Sequence, residues 1–445
     1  MKFIAILLGK MVVLAGKILR KGSSMPGEVA LKVDKNLLKK FKLPQTIIAV
    51  TGSSGKGSTS SIIAHVYRKM GYKVVHNASG ANLTAGITTM LLENCNMFGK
   101  VNGDVLVYEM DERYAKFVFN DVKPSHIVIT NITRDQPPRQ GHFDMVYNEV
   151  KKALPKGATL VLNGDDPYLT KFNLDNEYKS VYYTLDKTDW SYTENKFKNL
   201  NLIYCPKCNQ KLDYEYYHFE STGKFNCPKC DFSHPKSNYH ITNLDYNNFE
   251  MTINNDLKLK LQYDLLYSAY NTMAAFTVCS ELGLDKKQVS LYINELNKNN
   301  KMYNHYNYNN KDVYVLNNKN ENSTTFNQSL LFTERFNGSK TIVIGWKEIS
   351  RRYNFDDLSW LYDIDFEILN NTDVDKVVCT GPHAYDIATR IKLAGISNIE
   401  VYDNIPTAKD SILNTDSKYI FGILNFDYVA PFKALFESKE DTKWK

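Results

Sequence analysis

The apolar opening of this 445-residue chain lacks continuity. Lys2, Lys10 and Lys17 interrupt the run from Met1 to Leu19. A secretion signal needs one unbroken apolar run and a small-residue cleavage site, and none follows before Lys21-Gly22-Ser23. A spanning helix needs about 20 nearly uncharged residues, which this stretch does not supply. What remains is an amphipathic helix, which either packs on the protein itself or touches a membrane surface. The sequence also lacks charge of one sign. Its 55 Lys and Arg face 49 Asp and Glu, for a net charge of +6. Such a mild balance gives nucleic acid no electrostatic claim and suits an anionic substrate or surface only weakly. Cysteines are few and odd in number, at seven. An odd count without a secretion signal points to a reducing compartment. Cys95, Cys279 and Cys379 stand in apolar surroundings and read as buried thiols. There is no long internal repeat, and no residue reads as a covalent nucleophile.

What is present suggests two or three domains, because one core rarely serves so long a chain. Residues 1–45 read as a helical segment, with one helix over Met1 to Leu19 and a second over Glu28 to Phe41. Thr46 to Val50, Lys73 to Val75, Asp104 to Tyr108, His126 to Ile129 and Thr159 to Leu162 are short apolar runs that alternate with helical patterns. That alternation predicts an α/β, parallel, doubly wound sheet domain over residues 46–300, interrupted by an insertion at 201–238. Helical periodicity returns over Ser268 to Leu282 and Lys286 to Asn297. Asn299 to Lys311 is Asn-rich and reads as a linker. A second α/β alternation, 306–445, restarts with Thr341 to Ile344 and Lys376 to Cys379.

The run Gly52-Ser53-Ser54-Gly55-Lys56-Gly57-Ser58 joins the first strand to a helix. Glycines there let backbone N–H groups turn inward around phosphate oxygens, and the helix N-terminus and Lys56 add positive potential. The P-loop pattern places a hydroxyl directly after the lysine; here Gly57 takes that place and Ser58 comes one later. A Gly/Ser turn of no special function is the bland reading. Glu109 ends a strand, where ligands of open α/β sheets bind, and could hold Mg²⁺ or simply form a salt bridge. Asn271 lies in an apolar helix and needs a partner, either a ligand edge or an internal hydrogen bond. Asp166 precedes Pro167 and equally fits a turn.

Cys205-Pro206-Lys207-Cys208 and Cys227-Pro228-Lys229-Cys230 form two knuckles. Each presents two thiolates, so together they predict a tetrahedral zinc ribbon. Four thiolates leave no open position for water, so the zinc would be structural. The flanking run carries Asp213, Glu215 and Glu220 and forms no basic stripe for nucleic acid.

These motifs, taken in order, resemble those of Mur ligases, and of the MurT branch in particular. Thr51 to Ser58 resembles the family's T-G-T-N-G-K-T-[ST]. His76 to Gly86 resembles its N-x-x-G-A-N-x-x-x-G segment, with Asn82 at the second Asn. Glu109-Met110-Asp111-Glu112 resembles E-x-D-E, and Thr130 to Gln136 resembles T-N-x-x-R-D-Q. Leu162 to Pro167 matches L-N-x-D-D-P, and Tyr270 to Ala275 resembles Y-N-x-x-A-A. Lys21 to Gly27 is similar to the family's K-R-G-x-x-x-P-G. In the C-terminal half, Asn322 to Ser329, Asp357 to Glu367 and Thr380-Gly381-Pro382 resemble further family segments.

The resemblance implies a P-loop ATPase domain with an inserted zinc ribbon, then a C-terminal α/β domain. It implies ATP, Mg²⁺ and Zn²⁺. ATP would lie at Gly52 to Ser58, with Asn82, Asp166, Asn271 and Lys301 around it and Ser58 and Glu109 on Mg²⁺. The activity implied is amidation of the α-carboxylate of D-isoglutamate in lipid II, with ammonia from a GatD-like glutaminase, by a cytoplasmic protein working at the inner face of the membrane. Two departures stand out. Lys301 replaces the family's Arg and loses its bidentate fork. Asn354, followed by Phe355, Asp356 and Asp357, stands where an aspartate serves the glutaminase, and a neutral amide cannot stabilise an imidazolium as a carboxylate does. Asp356 or Glu348 could substitute. The rivals are a ligase joining an amino acid to another cell-wall precursor, a paralogue with weakened turnover, and a zinc-ribbon interaction protein.

Overall fold

A computed structural model describes every residue except 20–23, 134–141, 199, 201, 297–302, 318–321, 347–357 and 437–445. The chain divides into two compact units, one mainly within residues 1–297 and the other mainly within 298–445. In chain order the strands are β1 (Thr46–Thr51), β2 (Val74–His76), β3 (Val105–Glu109), β4 (His126–Ile129), β5 (Thr159–Asn163), β6 (Lys179–Leu185), β7 (Asp213–Phe219), β8 (Thr222–Asn226) and β9 (Tyr239–Asp245). They continue with β10 (Glu250–Ile253), β11 (Leu257–Lys260), β12 (Tyr303–Tyr308), β13 (Lys311–Leu316), β14 (Lys340–Gly345), β15 (Val374–Thr380), β16 (Ile399–Tyr402) and β17 (Tyr419–Leu424).

The first unit is built on a sheet of order β11-β10-β9-β6-β5-β4-β1-β3-β2. The strands from β2 through β9 pair in parallel, and β10 and β11 close one edge antiparallel. Successive strand residues point to opposite faces, so the central strands serve two cores. Ala49, Leu106, Tyr108, Ile127 and Leu160 face one core with Met90 and Leu91 of the Thr84–Asn94 helix. Ile48, Val50, Val107, Val128 and Val161 face the other, with Ile62, Ile63 and Val66 of the Lys56–Lys69 helix and Met273 and Phe276 of the Leu266–Glu281 helix. Burial on both faces is why these strands read as unbroken apolar runs. It also places the β1 and β3 ends, where the chain turns into its helices, side by side, with Val50 paired to Glu109.

The second helix ends earlier than its composition suggests. It spans Met25–Val33, and a separate 3₁₀ turn covers Leu38–Lys40. Asp34 breaks it: its carboxylate accepts from the Asn36 N–H at 3.2 Å and from Lys40 Nζ at 2.6 Å. Such local bonding by Asp competes with the helix ladder. The insertion holds the two-stranded β7-β8 sheet.

The second unit has its own sheet, of order β12-β13-β17-β14-β15-β16, parallel except for β12. Tyr303–Tyr308, expected to be linker, is an edge strand paired antiparallel to β13. Asn309 and Asn310 between them have φ of 48° and 61°. A two-residue loop with both residues left-handed is the hairpin turn that Asn tolerates. Tyr306 and Tyr308 pack edge-on against Phe436. Phe326, Trp346 and Trp360 form an aromatic cluster nearby in the same unit. Among the described residues, no helix is long and apolar enough to cross a membrane.

Candidate active site and metal centre

The glycine loop leaves β1 at Thr51 and enters the Lys56–Lys69 helix through Gly55. Gly52 and Gly55 have φ of 126° and 81°, in the region that side chains disfavour. The loop is braced from β4's end. Ser53 N donates to the Asn131 carbonyl at 2.9 Å, and Ser54 N donates to Asn131 Oδ1 at 2.9 Å. Thr130 Oγ1 and Asn131 Nδ2 both donate to the Ser54 carbonyl, at 2.5 and 3.1 Å. Lys56 folds back over this loop. Its ammonium donates to the Gly52 and Ser53 carbonyls and, at 3.1 Å, to Glu112 Oε2. The Glu112 side chain is wholly buried, so this is a held charge pair.

Glu109 lies just beyond. Asn77 clamps its backbone from both sides, accepting from Glu109 N and donating to Glu109 O, each at 2.9 Å. A Cβ on Gly57 would come within 2.9 Å of Glu109 Oε2, so the missing side chain at Gly57 leaves room for that carboxylate. Asn82 joins the same end: its carbonyl accepts from Asp111 N at 3.0 Å. His76, beside Ser60 on the loop's helix, has its pKa lowered to about 4 by burial and by Arg68. It is therefore a neutral neighbour rather than a charge.

Asn271 roofs the loop. A Cβ on Gly55 would meet Asn271 Oδ1 at 2.3 Å, so glycine is required there for space as well as for φ. Asn271 is buried, and its Nδ2 makes no well-formed hydrogen bond among the described residues, the Tyr263 hydroxyl being only a loose partner. A buried donor without a partner costs on the order of 1–3 kcal/mol, which a ligand's acceptor would offset. A self-braced glycine loop, a lysine paired to a buried acid, a second carboxylate at the helix mouth and an orphaned amide fit a nucleotide with a divalent cation.

The four knuckle cysteines converge. Their Sγ atoms lie within 4.8 Å of one another, with Cys205–Cys230 at 3.5 Å and Cys208–Cys227 at 3.4 Å. A disulfide needs about 2.05 Å. Sulfurs about 3.8 Å apart are what Zn–S bonds of about 2.3 Å give in a tetrahedron, so the set fits zinc. Leu212, Phe225 and Phe232 form a small core beneath it.

Sequence models of two domains match the chain: the Mur ligase middle domain over residues 50–226 and the MurT ligase C-terminal domain over 320–426. The MurT subunit of lipid II isoglutaminyl synthase (glutamine-hydrolyzing) from Staphylococcus aureus strain COL is 30% identical over 379 residues, covering 85% of this chain and 84% of that protein. The chain belongs to the MurT family. The Streptococcus pneumoniae MurT subunit is 27% identical over 429 residues, 95% of this chain and 94% of its own. Among solved structures, a pseudomurein peptide ligase type C from Methanothermus fervidus superposes with a TM-score of 0.68 at 18% identity, covering 90% of this chain and 80% of its own. The MurF ligase from Thermotoga maritima in complex with ADP does so with a TM-score of 0.57 at 17% identity, over 92% and 83%. These establish the Mur ligase fold and, with the family, an ATP-dependent ligase.

Set against this MurT frame, the structure brings Gly52 to Ser58, Asn82, Glu109 and Asn271 to one end of the sheet. Asp166 caps the Pro167–Thr170 helix, accepting from Tyr168 N at 2.8 Å, and burial pushes its carboxyl up to about 6. The cap explains its local conformation. Lys301, Asn354, Asp356 and Asp357 lie outside the described residues, as does Arg134. Sequence reasoning passed over Glu112, Thr130 and Asn131, although each sits within a quoted motif. It also passed over Asp165. That wholly buried carboxylate accepts from Tyr270 OH and Leu185 N, both at 2.8 Å, and pairs with His234 Nε2 at 2.8 Å. His234 follows the second knuckle and Tyr270 adjoins Asn271, so Asp165 ties the ribbon to the helix above the phosphate loop. In the second unit, Arg390 of the Ala384–Leu393 helix donates to Glu367 Oε2 at 2.9 Å and to the Ile364 carbonyl at 2.8 Å, tying that helix to the Asp357 to Glu367 segment.

Proposed function

We propose that this chain activates the α-carboxylate of the D-isoglutamyl residue of lipid II with ATP, for amidation by ammonia from a GatD-like glutaminase. The observation that carries the reading is the constellation of Lys56, Glu112, Glu109 and the orphaned Asn271 amide around one glycine loop. In this reading residues 46–300 hold the nucleotide. Lys56 turns from the loop carbonyls to the phosphate oxygens, and Glu112 keeps its ammonium in place. Asn271 donates to the adenine edge. Ser58 and Glu109 would hold Mg²⁺, which would neutralise phosphate charge, and Asn82 lies at the same end of the sheet. The carboxylate oxygen attacks the γ-phosphorus, the bond to the β-phosphate oxygen breaks, and ADP leaves. Ammonia then adds to the acyl phosphate, and inorganic phosphate departs with the C–O bond pair. The chain supplies positioning and charge neutralisation. Zn²⁺ in the Cys205, Cys208, Cys227 and Cys230 set is structural. Residues 306–445 would serve the glutaminase, and Asn354, Asp356 and Asp357, the positions that the family likeness implies for this, lie outside the described residues.

One feature favours a second reading, in which coupling to the glutaminase is lost: Asn354 offers no carboxylate. Purified protein with lipid II, ATP, and either ammonium or glutamine plus a glutaminase separates the readings. ADP and amidated product from both nitrogen sources support the full reading. Product from ammonium alone supports the second. Absence of ADP under both conditions defeats the ligase reading.

A further inference from the structure

The first helix, Lys2–Leu19, presents an apolar face that the protein does not cover. Phe3, Ile4, Leu7, Met11, Leu14 and Ile18 are each 41% to 76% exposed. Their spacing of three, four and seven puts them on one side of a helix. The opposite side is fixed. Ala5 and Ile6 are fully buried, and a Cβ on Gly9 would meet Leu92 Cδ1 at 2.6 Å and Ala30 Cβ at 3.2 Å. Lys10 Nζ donates to the Leu92 carbonyl at 2.7 Å. The helix therefore cannot roll its apolar face inward. A second element adds to it: Phe98, 76% exposed, tips a tight loop in which Asn96 Oδ1 accepts from the N–H groups of Phe98 and Lys100, each at 3.0 Å. The next residue, Gly99, lies so close to the helix start that a Cβ there would be 2.6 Å from Lys2 Cε.

We infer that this face is an in-plane docking surface for an anionic lipid bilayer. Charge selects that occupant. The helix carries no acid, and Lys2 and Lys17 remain as its cations because Lys10 is bonded inward; Lys42 pairs with Gly99 through its backbone N–H at 2.8 Å, bringing Lys42 and Lys100 beside Phe98. Breadth does too. Neighbouring positions such as Phe3-Ile4 and Leu7-Leu8 are both exposed, which gives a wide arc rather than the narrow seam of a coiled-coil partner. The helix lies on the bilayer and does not span it. The inference goes beyond the ligase reading and does not depend on it.

The test is co-sedimentation of the full chain with vesicles of phosphatidylcholine alone or mixed with phosphatidylglycerol, without lipid II or ATP. Binding is expected to the mixed vesicles, weaker at high salt. It should fall about tenfold or more in Leu7→Ser/Leu14→Ser/Ile18→Ser and severalfold in Phe98→Ser. These side chains are exposed, so melting temperatures should stay close to the parent's. Failure of the folded parent to bind the mixed vesicles overturns the inference. So does equal binding by the triple variant. Light scattering that shows a dimer which the triple variant dissolves, without vesicle binding, assigns the face to a second copy instead.

Discussion

The phosphate loop and the cysteine ribbon sit in the same unit and were both read from short motifs, yet they are held in opposite ways. The loop is braced by the rest of the protein. Asn131 and Thr130 bind its backbone, and Glu112 and two carbonyls hold Lys56. The ribbon is not: its four thiols have chiefly one another, over a core of a few residues. A preorganised anion site loses little on binding, whereas a small metal knuckle takes its folding energy from the metal. The difference predicts that damage to the loop removes chemistry and leaves the fold, while damage to the ribbon removes local fold first.

The largest effect should come from Lys56→Met. Loss of the cation held over the loop should lower the rate of ADP release about a hundredfold or more. Zinc content should not change. ADP release within a few-fold of the parent would mean that phosphate is bound elsewhere. The same variant removes the Lys56 bond to the buried Glu112 carboxylate, so some loss of stability is expected with it, on the order of 1–3 kcal/mol. A chemical-denaturation midpoint separates that loss from the catalytic one.

Next is Cys227→Ala. The remaining three thiolates should lose most of the zinc, measured per chain by metal analysis, and the segment around β7 and β8 should become sensitive to protease. Nucleotide affinity is expected to fall by less than about tenfold, because the loop's bracing bonds do not include the ribbon. A collapse of nucleotide binding in step with zinc would break the contrast between the two regions.

Asp165 is where the contrast is sharpened, since it touches both. In Asp165→Asn the new amide N–H₂ faces either His234 Nε2, which must change tautomer to accept, or the Leu185 N–H and Tyr270 hydroxyl. A loss of about 2–3 kcal/mol is expected from the denaturation midpoint. Because Tyr270 stands next to Asn271 on one helix, a loss of nucleotide affinity should accompany it, with zinc still bound. If affinity does not move, the bond from ribbon to helix is only structural.

Much of this architecture was legible in the sequence, for a physical reason. Parallel strands buried on both faces appear as runs such as Thr46 to Val50, and the glycine loop must follow one of them. The thiol pairs were legible because both ligands of each knuckle are local. What was missed is non-local. Glu112 meets Lys56 across 56 positions, Asn131 meets Ser54 across 77, and Tyr270 meets Asp165 across 105. No periodicity encodes such pairs. The β12 strand was hidden differently: its Asn and Tyr residues look like linker until β13 pairs with it, although Asn309-Asn310 is a hairpin signal. Helical pattern alone extends the second helix too far because it takes no account of the competing bonds of Asp34.

The smallest predicted effect tests the one residue at which the loop departs from the pattern. Gly57 reads in sequence as a lost hydroxyl, and the simple expectation is that Gly57→Thr would restore a magnesium ligand and raise turnover. The role proposed for Glu109 predicts the reverse. Gly57 does not have a left-handed φ, so a side chain there is conformationally allowed. The added Cβ would, however, approach Glu109 Oε2 at 2.9 Å, and the end of a carboxylate side chain can move aside. Both Gly57→Ala and Gly57→Thr should therefore fold as the parent does and lose magnesium affinity a few-fold, since Glu109 is displaced from the helix mouth. The check is the Mg²⁺ dependence of ADP release in the two variants. A tighter magnesium requirement in Gly57→Thr than in Gly57→Ala, at or above the parent's turnover, would show that the hydroxyl matters more than the room left for Glu109.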